Sequence, residues 1–166
     1  ALPISQLGGV AVIHRYNSVE SQSAIVKEVK QSGCKVGAAV GTTGNYMERV
    51  NALVFAGVDF VCIDVAHGHH SMVHDAIKKI RGTYPFLHIM AGNVATAEAF
   101  EALQSWGANS IRVGIGGGSI CSTRIQTGHG VPNLTAIMDC AQVAHKAVLI
   151  ADGGIKNAGD IVKALA

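Results

Sequence analysis

Short apolar runs, nearly continuous rather than alternating with polar residues, recur along the chain. They are rich in β-branched residues, have glycines at their ends, and occupy residues 8–14, 35–41, 60–66, 87–94, 110–116 and 147–154. Strands of a parallel sheet that is buried on both faces have this character, because no position along them faces water. The pattern therefore predicts six parallel strands.

Segments with helical spacing separate these runs. Capping residues three positions before a glutamate predict helix starts at Asn17 and Asn45. Glycines that follow the last apolar position predict helix ends at Gly33, Gly57 and Gly107. The predicted order is strand, helix, strand, helix along the whole chain.

The regularity of this order favours one architecture. Successive predicted strands begin 23 to 27 residues apart over the first five runs, which is the length of a βα unit. We therefore predict an α/β fold, a (β/α)8 TIM barrel of which about six of the eight βα units are present. Residues 1–7 and 160–166 are interpreted as helices, so residues 1–166 are expected to form one barrel domain that is incomplete at both ends. An open doubly wound sheet, which needs no closure, is the rival fold.

Composition narrows the class of protein. With 49% hydrophobic residues in 166, the chain can bury a sizeable core, and its 13 basic and 11 acidic side chains give a net charge of only +2. No basic patch suggests a nucleic-acid partner, and no apolar stretch is long enough to span a membrane. The beginning of the sequence lacks the pattern of a signal peptide. We expect a soluble, cytoplasmic protein that binds neither nucleic acid nor membranes.

Candidate chemistry lies where predicted strands end, because the carboxyl ends of barrel strands carry function. Asp64, Asn93 and Asp152 each end a strand, although any one of them could simply cap the following helix. Glycine-rich residues 114–118 follow the fifth strand, where a flexible turn is the plain alternative to a ligand-binding loop.

The four cysteines are spaced too irregularly for a zinc site or a disulfide framework, so we expect reduced thiols. Cys121 follows the glycine-rich loop, where amide groups and Arg124 would favour a nucleophilic thiolate. Cys34, Cys62 and Cys140 have settings that indicate packing.

A histidine cluster follows the third predicted strand. His67, His69 and His70 superficially resemble a metal site, but no carboxylate or cysteine lies at ligand spacing. A polar loop is the favoured interpretation.

Several of these motifs together resemble one known family. Residues 113–124 (VGIGGGSICSTR), followed by 127–132 (TGHGVP), look like the catalytic loop of the IMP dehydrogenase and GMP reductase family. Four further motifs of that family occur in the same order, at residues 9–15, 64–69, 91–96 and 151–155. The similarity covers essentially the whole chain, and the family's (β/α)8 barrel agrees with the periodicity.

The resemblance implies a role for each motif residue. Cys121 would attack C2 of a purine nucleotide and form a covalent thioimidate, with Thr123 helping to position water or ammonia. The substrate, a purine nucleotide monophosphate, would be held by Ser119, Asp152, Gly153 and Gly154. The nicotinamide cofactor would contact Asp64, Asn93, Gly114, Ile115 and Gly116. A potassium ion would be coordinated by the carbonyls of Gly116, Gly118 and Cys121.

The family contains two activities, and the sequence leaves both open. The dehydrogenase oxidises IMP to XMP with NAD, in guanine nucleotide synthesis; the reductase converts GMP to IMP with NADPH and releases ammonia. Residues 36–41, 95–99 and 151–155 lean towards the dehydrogenase. Residues 30–35, which leave no room for the inserted CBS domain usual in the dehydrogenase, and the short connection 144–147 lean towards the reductase. A homotetramer is expected by resemblance.

Some features depart from the family pattern. Gly117 stands where many relatives have proline, which is expected to loosen the loop, and Ser122 replaces the commoner threonine. The second part of the phosphate site and the mobile flap that activates water are expected beyond the eighth strand. A nucleotide-binding relative without turnover therefore stays open as another class of function.

Overall fold

The computed structural model describes residues 1–166 and alternates helices with strands. In chain order the elements are α1 (Leu2–Gln6), β1 (Ala11–Ile13), α2 (Val19–Gln31), β2 (Val36–Val40), α3 (Tyr46–Phe55), β3 (Phe60–Asp64), α4 (Ser71–Thr83), β4 (His88–Val94), α5 (Ala97–Trp106), β5 (Ser110–Val113), α6 (Thr123–Thr127), α7 (Asn133–Ala141), β6 (Val148–Ala151) and α8 (Ala158–Leu165). Each predicted apolar run contains one of the six strands, so the strand prediction is confirmed.

The sheet topology decides between the two candidate folds. All strand pairs are parallel, and the strands lie side by side in sequence order from β1 to β6. A doubly wound sheet would reverse its order at a switch point, so that alternative is wrong. Neighbouring strands that are also consecutive in sequence, each followed by a helix, are the winding of a TIM barrel. The six strands form a curled half-barrel.

The hydrophobic core lies between the sheet and the helices. Ile63 of β3 and Ile111 of β5 are fully buried in one cluster with Phe100 and Leu103 of α5. The opposite face of the sheet borders a cavity of about 450 Å³ at the N-terminal half of the strands, where Phe60 lies. Packing on the helix side therefore fixes the sheet, whose strand ends carry the candidate residues.

Helix boundaries agree with the sequence except at one start. Ser18, not Asn17, is the N-cap of α2, and its hydroxyl oxygen accepts from the Ser21 amide at 3.1 Å. Asn45 is the N-cap of α3, although its side chain makes no capping bond. Gly33, Gly57 and Gly107 follow their helices with positive φ, as predicted.

One buried polar side chain fixes the carboxyl ends of β1 and β2. Gln22 is fully buried in α2, and its Nε2 donates to the carbonyls of Ile13 and Ala39 at 3.0 and 2.9 Å. Its Oε1 accepts from Nη1 of Arg49 at 2.7 Å. Because a buried amide is costly unless it is hydrogen-bonded, these contacts specify how α2 sits against both strands.

None of the helices combines the length and the apolar character that a membrane span requires.

Candidate functional site

A cleft of about 490 Å³ lies at the carboxyl ends of the strands. It brings together eight of the residues predicted from sequence: Asp64, Asn93, Gly114, Ile115, Gly116, Cys121, Thr123 and Asp152. Arg15, Tyr16 and Arg112 also line it. We call it the nucleophile cleft.

The other predicted residues line a neighbouring cleft of about 410 Å³. Gly118, Ser119, Gly153 and Gly154 meet there, together with Lys156. The two clefts adjoin because Asp152 lines the first and the next residue lines the second. We call the second one the glycine cleft. The structure thus separates the predicted cofactor and nucleophile residues from most of the predicted phosphate-binding residues, and keeps the two groups adjacent.

Asn93 joins two strand ends at the nucleophile cleft. Its Nδ2 donates to Oδ2 of Asp152 at 2.6 Å and to the Gly114 carbonyl at 2.7 Å. Its Oδ1 is buried and has no hydrogen-bond partner in the chain. Asn93 therefore orients the Asp152 carboxylate, and its Oδ1 is a buried acceptor that no group of the chain satisfies.

Arg112 orients the second carboxylate of the nucleophile cleft, that of Asp64. It lies in β5, and its Nη2 donates to Oδ1 of Asp64 in an ion pair at the strand ends. Charge pairing in a partly buried setting restricts the Asp64 side chain. Arg112 was not among the residues predicted from the sequence, where the available signal was a single charged residue within β5.

Glycine is required where the loop leaves β5. Gly114 has φ +131°, and a Cβ there would lie 2.2 Å from the Asp152 carbonyl oxygen. No other residue type fits so close to a neighbouring backbone. The backbone of the glycine-rich loop therefore packs directly against the strand end that carries Asp152.

Cys121 is partly exposed, just before α6 begins. Its Sγ lies 3.3 Å from Oγ1 of Thr123, which accepts from the thiol and can donate to the thiolate. Hydrogen bonding by the Thr123 side chain and backbone lowers the pKa of Cys121, and Arg124 adds a smaller contribution. The prediction that Cys121 has the setting of a nucleophile is supported by this pKa direction.

The other cysteines lie in the settings expected for packing. Cys62 in β3 and Cys140 in α7 are fully buried, and burial raises the pKa of each to about 11. Cys34 lies partly buried between α2 and β2 and packs against the core. All four cysteines are free thiols.

We expect alkylation of Cys121 to reach its half-maximal rate at a pH below the ordinary thiol pKa of 9.0, because only the thiolate reacts and its pKa is lowered. Thr123→Val removes the hydroxyl and should move that midpoint to higher pH. The measurement is the iodoacetamide rate against pH, with the modified residue identified by peptide mass. Thr135→Val, an exposed change on α7, is the control. An unshifted midpoint in Thr123→Val would contradict the assignment.

Arg124 has a different main role from the one expected. Its guanidinium donates to the carbonyls of Ile115 and Val131 at 2.8 and 2.6 Å, and to Oδ1 of Asn133 at 2.7 Å. These acceptors occupy the guanidinium, so Arg124 ties loop segments together more than it stabilises the Cys121 thiolate.

Two of the three histidines after β3, His69 and His70, have structural contacts. His70 is the N-cap of α4, and its Nδ1 accepts from the Met72 amide at 3.1 Å. The ring of His69 lies 5.7 Å from that of Trp106. No cluster of three His, Cys, Asp or Glu side chains in the chain could hold a metal ion.

Comparison with known proteins agrees with this geometry. A family model described as "IMP dehydrogenase / GMP reductase domain" matches residues 1–166. An inosine-5'-monophosphate dehydrogenase of Bacillus subtilis (strain 168) is 60% identical over 133 residues, which are 79% of this chain and 27% of that protein. Proteins of the same name from Chlorobaculum tepidum and Aquifex aeolicus are 56% and 54% identical, over 82% and 80% of this chain and 28% and 27% of their own lengths.

The chain thus spans 27 to 28% of the length of these relatives. The family model matches every residue, and the curled half-barrel of six parallel strands is consistent with part of a TIM barrel. On these grounds the chain belongs to the IMP dehydrogenase / GMP reductase family.

Proposed function

We propose that the protein containing this chain is an IMP dehydrogenase, which oxidises IMP to XMP in guanine nucleotide synthesis through a covalent intermediate on Cys121. One observation carries the proposal: the lowered-pKa thiol shares one cleft with Asp64, Asn93 and Asp152. The names of the relatives support the choice of substrate.

The proposed chemistry begins with the Cys121 thiolate. Its sulfur forms a bond to C2 of the hypoxanthine ring, and the hydrogen on C2 departs with its electron pair, which leaves a thioimidate. NAD, when bound, supplies the acceptor for that hydride. Water then adds to C2, the carbon–sulfur bond breaks, and XMP, the thiolate and a proton are released. Thr123 hydrogen-bonds to the sulfur and so stabilises it as attacking and as leaving group.

The nucleotide would be held where the nucleophile cleft and the glycine cleft adjoin. Asp152 would accept hydrogen bonds from the ribose hydroxyls. Ser119 and the amides of Gly153 and Gly154 would bind the phosphate, with Lys156 close by in the glycine cleft. Gly153 and Gly154 both have positive φ, at +83° and +75°, so this turn has a backbone that suits only glycine and that can point amides at an anion.

The residues of the nucleophile cleft fit a nicotinamide cofactor. The buried Oδ1 of Asn93 has no partner, and an acceptor of this kind suits a carboxamide N–H. The volume of about 490 Å³ falls within the usual range for small-molecule sites. Asp64, Asn93 and the backbone of Gly114, Ile115 and Gly116 would contact NAD.

We propose that the loop supplies part of a site for an alkali cation. Potassium binds to backbone carbonyls, and Gly116, Gly118 and Cys121 would supply three of them. The Gly118 carbonyl accepts from the Cys121 amide at 3.1 Å within a tight turn, so these carbonyls belong to one compact segment. Three oxygens are fewer than such an ion needs, and further ligands would have to come from other residues.

GMP reductase is the second candidate. It is favoured by the direct connection between α2, which ends at Gln31, and β2, which begins at Val36. This short segment leaves no room for an inserted module.

A test of both uses the full protein with potassium present, and follows absorbance of the reduced nicotinamide. IMP with NAD should raise the absorbance steadily. A fall with GMP and NADPH, together with ammonia release, would instead identify the reductase. No change with either pair, despite measurable nucleotide binding, would identify a non-catalytic relative and end both proposals.

By the family resemblance we also propose a homotetramer. Light scattering on the purified full protein would measure the mass, and a monomer would contradict it.

A further inference from the structure

The side-chain amide of Asn133 connects the two halves of the site. Asn133 is the first residue of α7. Its Oδ1 accepts from Nη2 of Arg124 at 2.7 Å, and its Nδ2 donates to the carbonyls of Asp152 and Gly153 at 3.1 and 2.8 Å. Arg124 belongs to the segment that carries the nucleophile, whereas Asp152 and Gly153 belong to the turn that would hold the nucleotide. One amide thus bridges both segments.

Arg124 extends this bridge to the start of the loop. Its Nε and Nη2 both donate to the Ile115 carbonyl, at 3.1 and 2.8 Å. A Cβ at Gly116 or Gly130 would lie only 2.9 or 2.7 Å from Arg124 side-chain atoms. The loop therefore closes around this side chain at both ends, and a side chain at position 116 or 130 would have to displace Arg124.

Gly117 has a specific partner as well. A Cβ at this position would lie 2.3 Å from Nδ2 of Asn133. The Asn133 amide occupies the space that a larger residue at position 117 would fill. The expected loosening of the loop by glycine stays a prediction. Gly117 and Asn133 form a matched pair, and the amide reaches the Asp152 carbonyl because position 117 has no side chain.

We propose that Asn133 is a positioning residue, which sets the Cys121 sulfur against C2 of the nucleotide by holding the nucleophile segment to the turn at Asp152 and Gly153. The inference rests on the proposed function, since it assigns the nucleophile to one segment and the nucleotide to the other. The nucleophile segment and the nucleotide-binding turn must together place the sulfur against C2. They need such a link, because misplacement of reacting atoms by about 1 Å can slow a reaction by about 100-fold.

Asn133→Ala should therefore slow bond formation more than it weakens nucleotide binding. Most of the groups proposed to bind the nucleotide, Asp152 and the amides of Gly153 and Gly154, lie on the Asp152 side and stay in place. The segment that carries Cys121 and Ser119 loses its tie to them. We expect the saturating rate of adduct formation to fall about 10- to 100-fold, with half-saturation changed by no more than about 3-fold.

Asn133→Asp separates the two halves of the bridge. A carboxylate still accepts from Arg124, but it cannot donate to the carbonyls of Asp152 and Gly153. If the link between segments is what matters, this variant should be as slow as Asn133→Ala. Its guanidinium contact is retained, so it also serves where the alanine variant folds poorly.

Asn109 provides a matched control at the other end of β5. Its Oδ1 accepts from Nη2 of Arg81 and from the Ile89 amide, and that arginine also donates to the Gly107 carbonyl. As at Asn133, an asparagine Oδ1 accepts from an arginine that also donates to a backbone carbonyl, but none of these residues lines either cleft. Asn109→Ala should lower the unfolding temperature without slowing adduct formation.

The test measures adduct formation on the full protein with a 2-chloropurine ribonucleotide. The Cys121 sulfur displaces chloride from C2, and the adduct is counted by intact mass at increasing analogue concentrations. Iodoacetamide, which needs no bound nucleotide, should alkylate Cys121 within about 3-fold of the original rate in every variant, because Thr123 is unchanged. Thermal unfolding confirms that each sample is folded at the assay temperature.

The outcomes separate the inference from the proposed function. A slow saturating rate in both Asn133 variants, with normal iodoacetamide reactivity, supports it. An original rate in either variant, or an equal loss in Asn109→Ala, overturns it. An unvaried protein that forms no adduct at all would instead refute the proposed function.

Discussion

Cys121→Ala in the full protein is expected to abolish adduct formation and to reduce turnover of IMP by at least about 1,000-fold. The reason is that the proposed reaction passes through a carbon–sulfur bond, and no other group in the nucleophile cleft can form it. Steady-state absorbance of reduced nicotinamide measures turnover, and intact mass measures the adduct. Affinity for IMP should change by only a few-fold, since Asp152, Ser119 and the glycine turn are untouched.

Cys34→Ala is the control for this experiment. Cys34 is the other cysteine with some exposure, whereas Cys62 and Cys140 are buried and have their pKa values raised to about 11. Adduct formation should therefore be lost in Cys121→Ala and kept in Cys34→Ala. Adducts spread over several cysteines, or turnover that survives Cys121→Ala, would remove Cys121 from the role of nucleophile.

The fold could be predicted from sequence because its main signals are local. Each apolar run is nearly continuous, so both the strands and their parallel arrangement follow from the pattern. Strand lengths were less accurate. The run 110–116 predicts a strand that in fact ends at Val113, because the positive φ of Gly114 turns the chain away from the sheet.

Part of the candidate site could also be predicted from the sequence. Asp64 is the last residue of β3, Asn93 is the last but one of β4, and Asp152 directly follows β6. Parallel strands present their carboxyl ends at one edge, so a single cleft was predictable. The hydrogen bond from Asn93 to Asp152 spans 59 positions and depends on the curvature of the sheet, which no local pattern contains.

The bridging side chains could not be predicted for a similar reason. Asn133 looks like an ordinary residue at a helix start after proline, and Arg124 like a cation near a thiol. Their partners are carbonyl groups at distant positions, and every residue has a carbonyl. The collision that a Cβ at Gly117 would make with Asn133 shows why glycine suits position 117, and no local pattern contains that contact.

Asp152→Ala is expected to weaken IMP binding by about 10- to 100-fold, which corresponds to the loss of a charged hydrogen bond worth about 1.5–3 kcal/mol. The carboxylate is already oriented by Asn93, whose Nδ2 lies 2.6 Å from Oδ2. Because this acceptor is already oriented, less side-chain entropy is lost when the ribose hydroxyls bind. Its removal should therefore lower the affinity for IMP strongly. Calorimetric titration with IMP measures the change, and Asp139→Ala, on the exposed face of α7, is the control.

Inosine, which lacks the phosphate, makes this prediction specific. If Asp152 contacts the ribose, the fold loss should be the same for inosine and for IMP, because the phosphate would be bound independently in the glycine cleft. A loss confined to IMP would show that the substitution disturbs Gly153 and the phosphate site instead. Unchanged affinity for both ligands would remove Asp152 from the substrate site. The folded state should survive in each case, because Asp152 is only partly buried and lies outside the core cluster, so a lower affinity reports the contact itself.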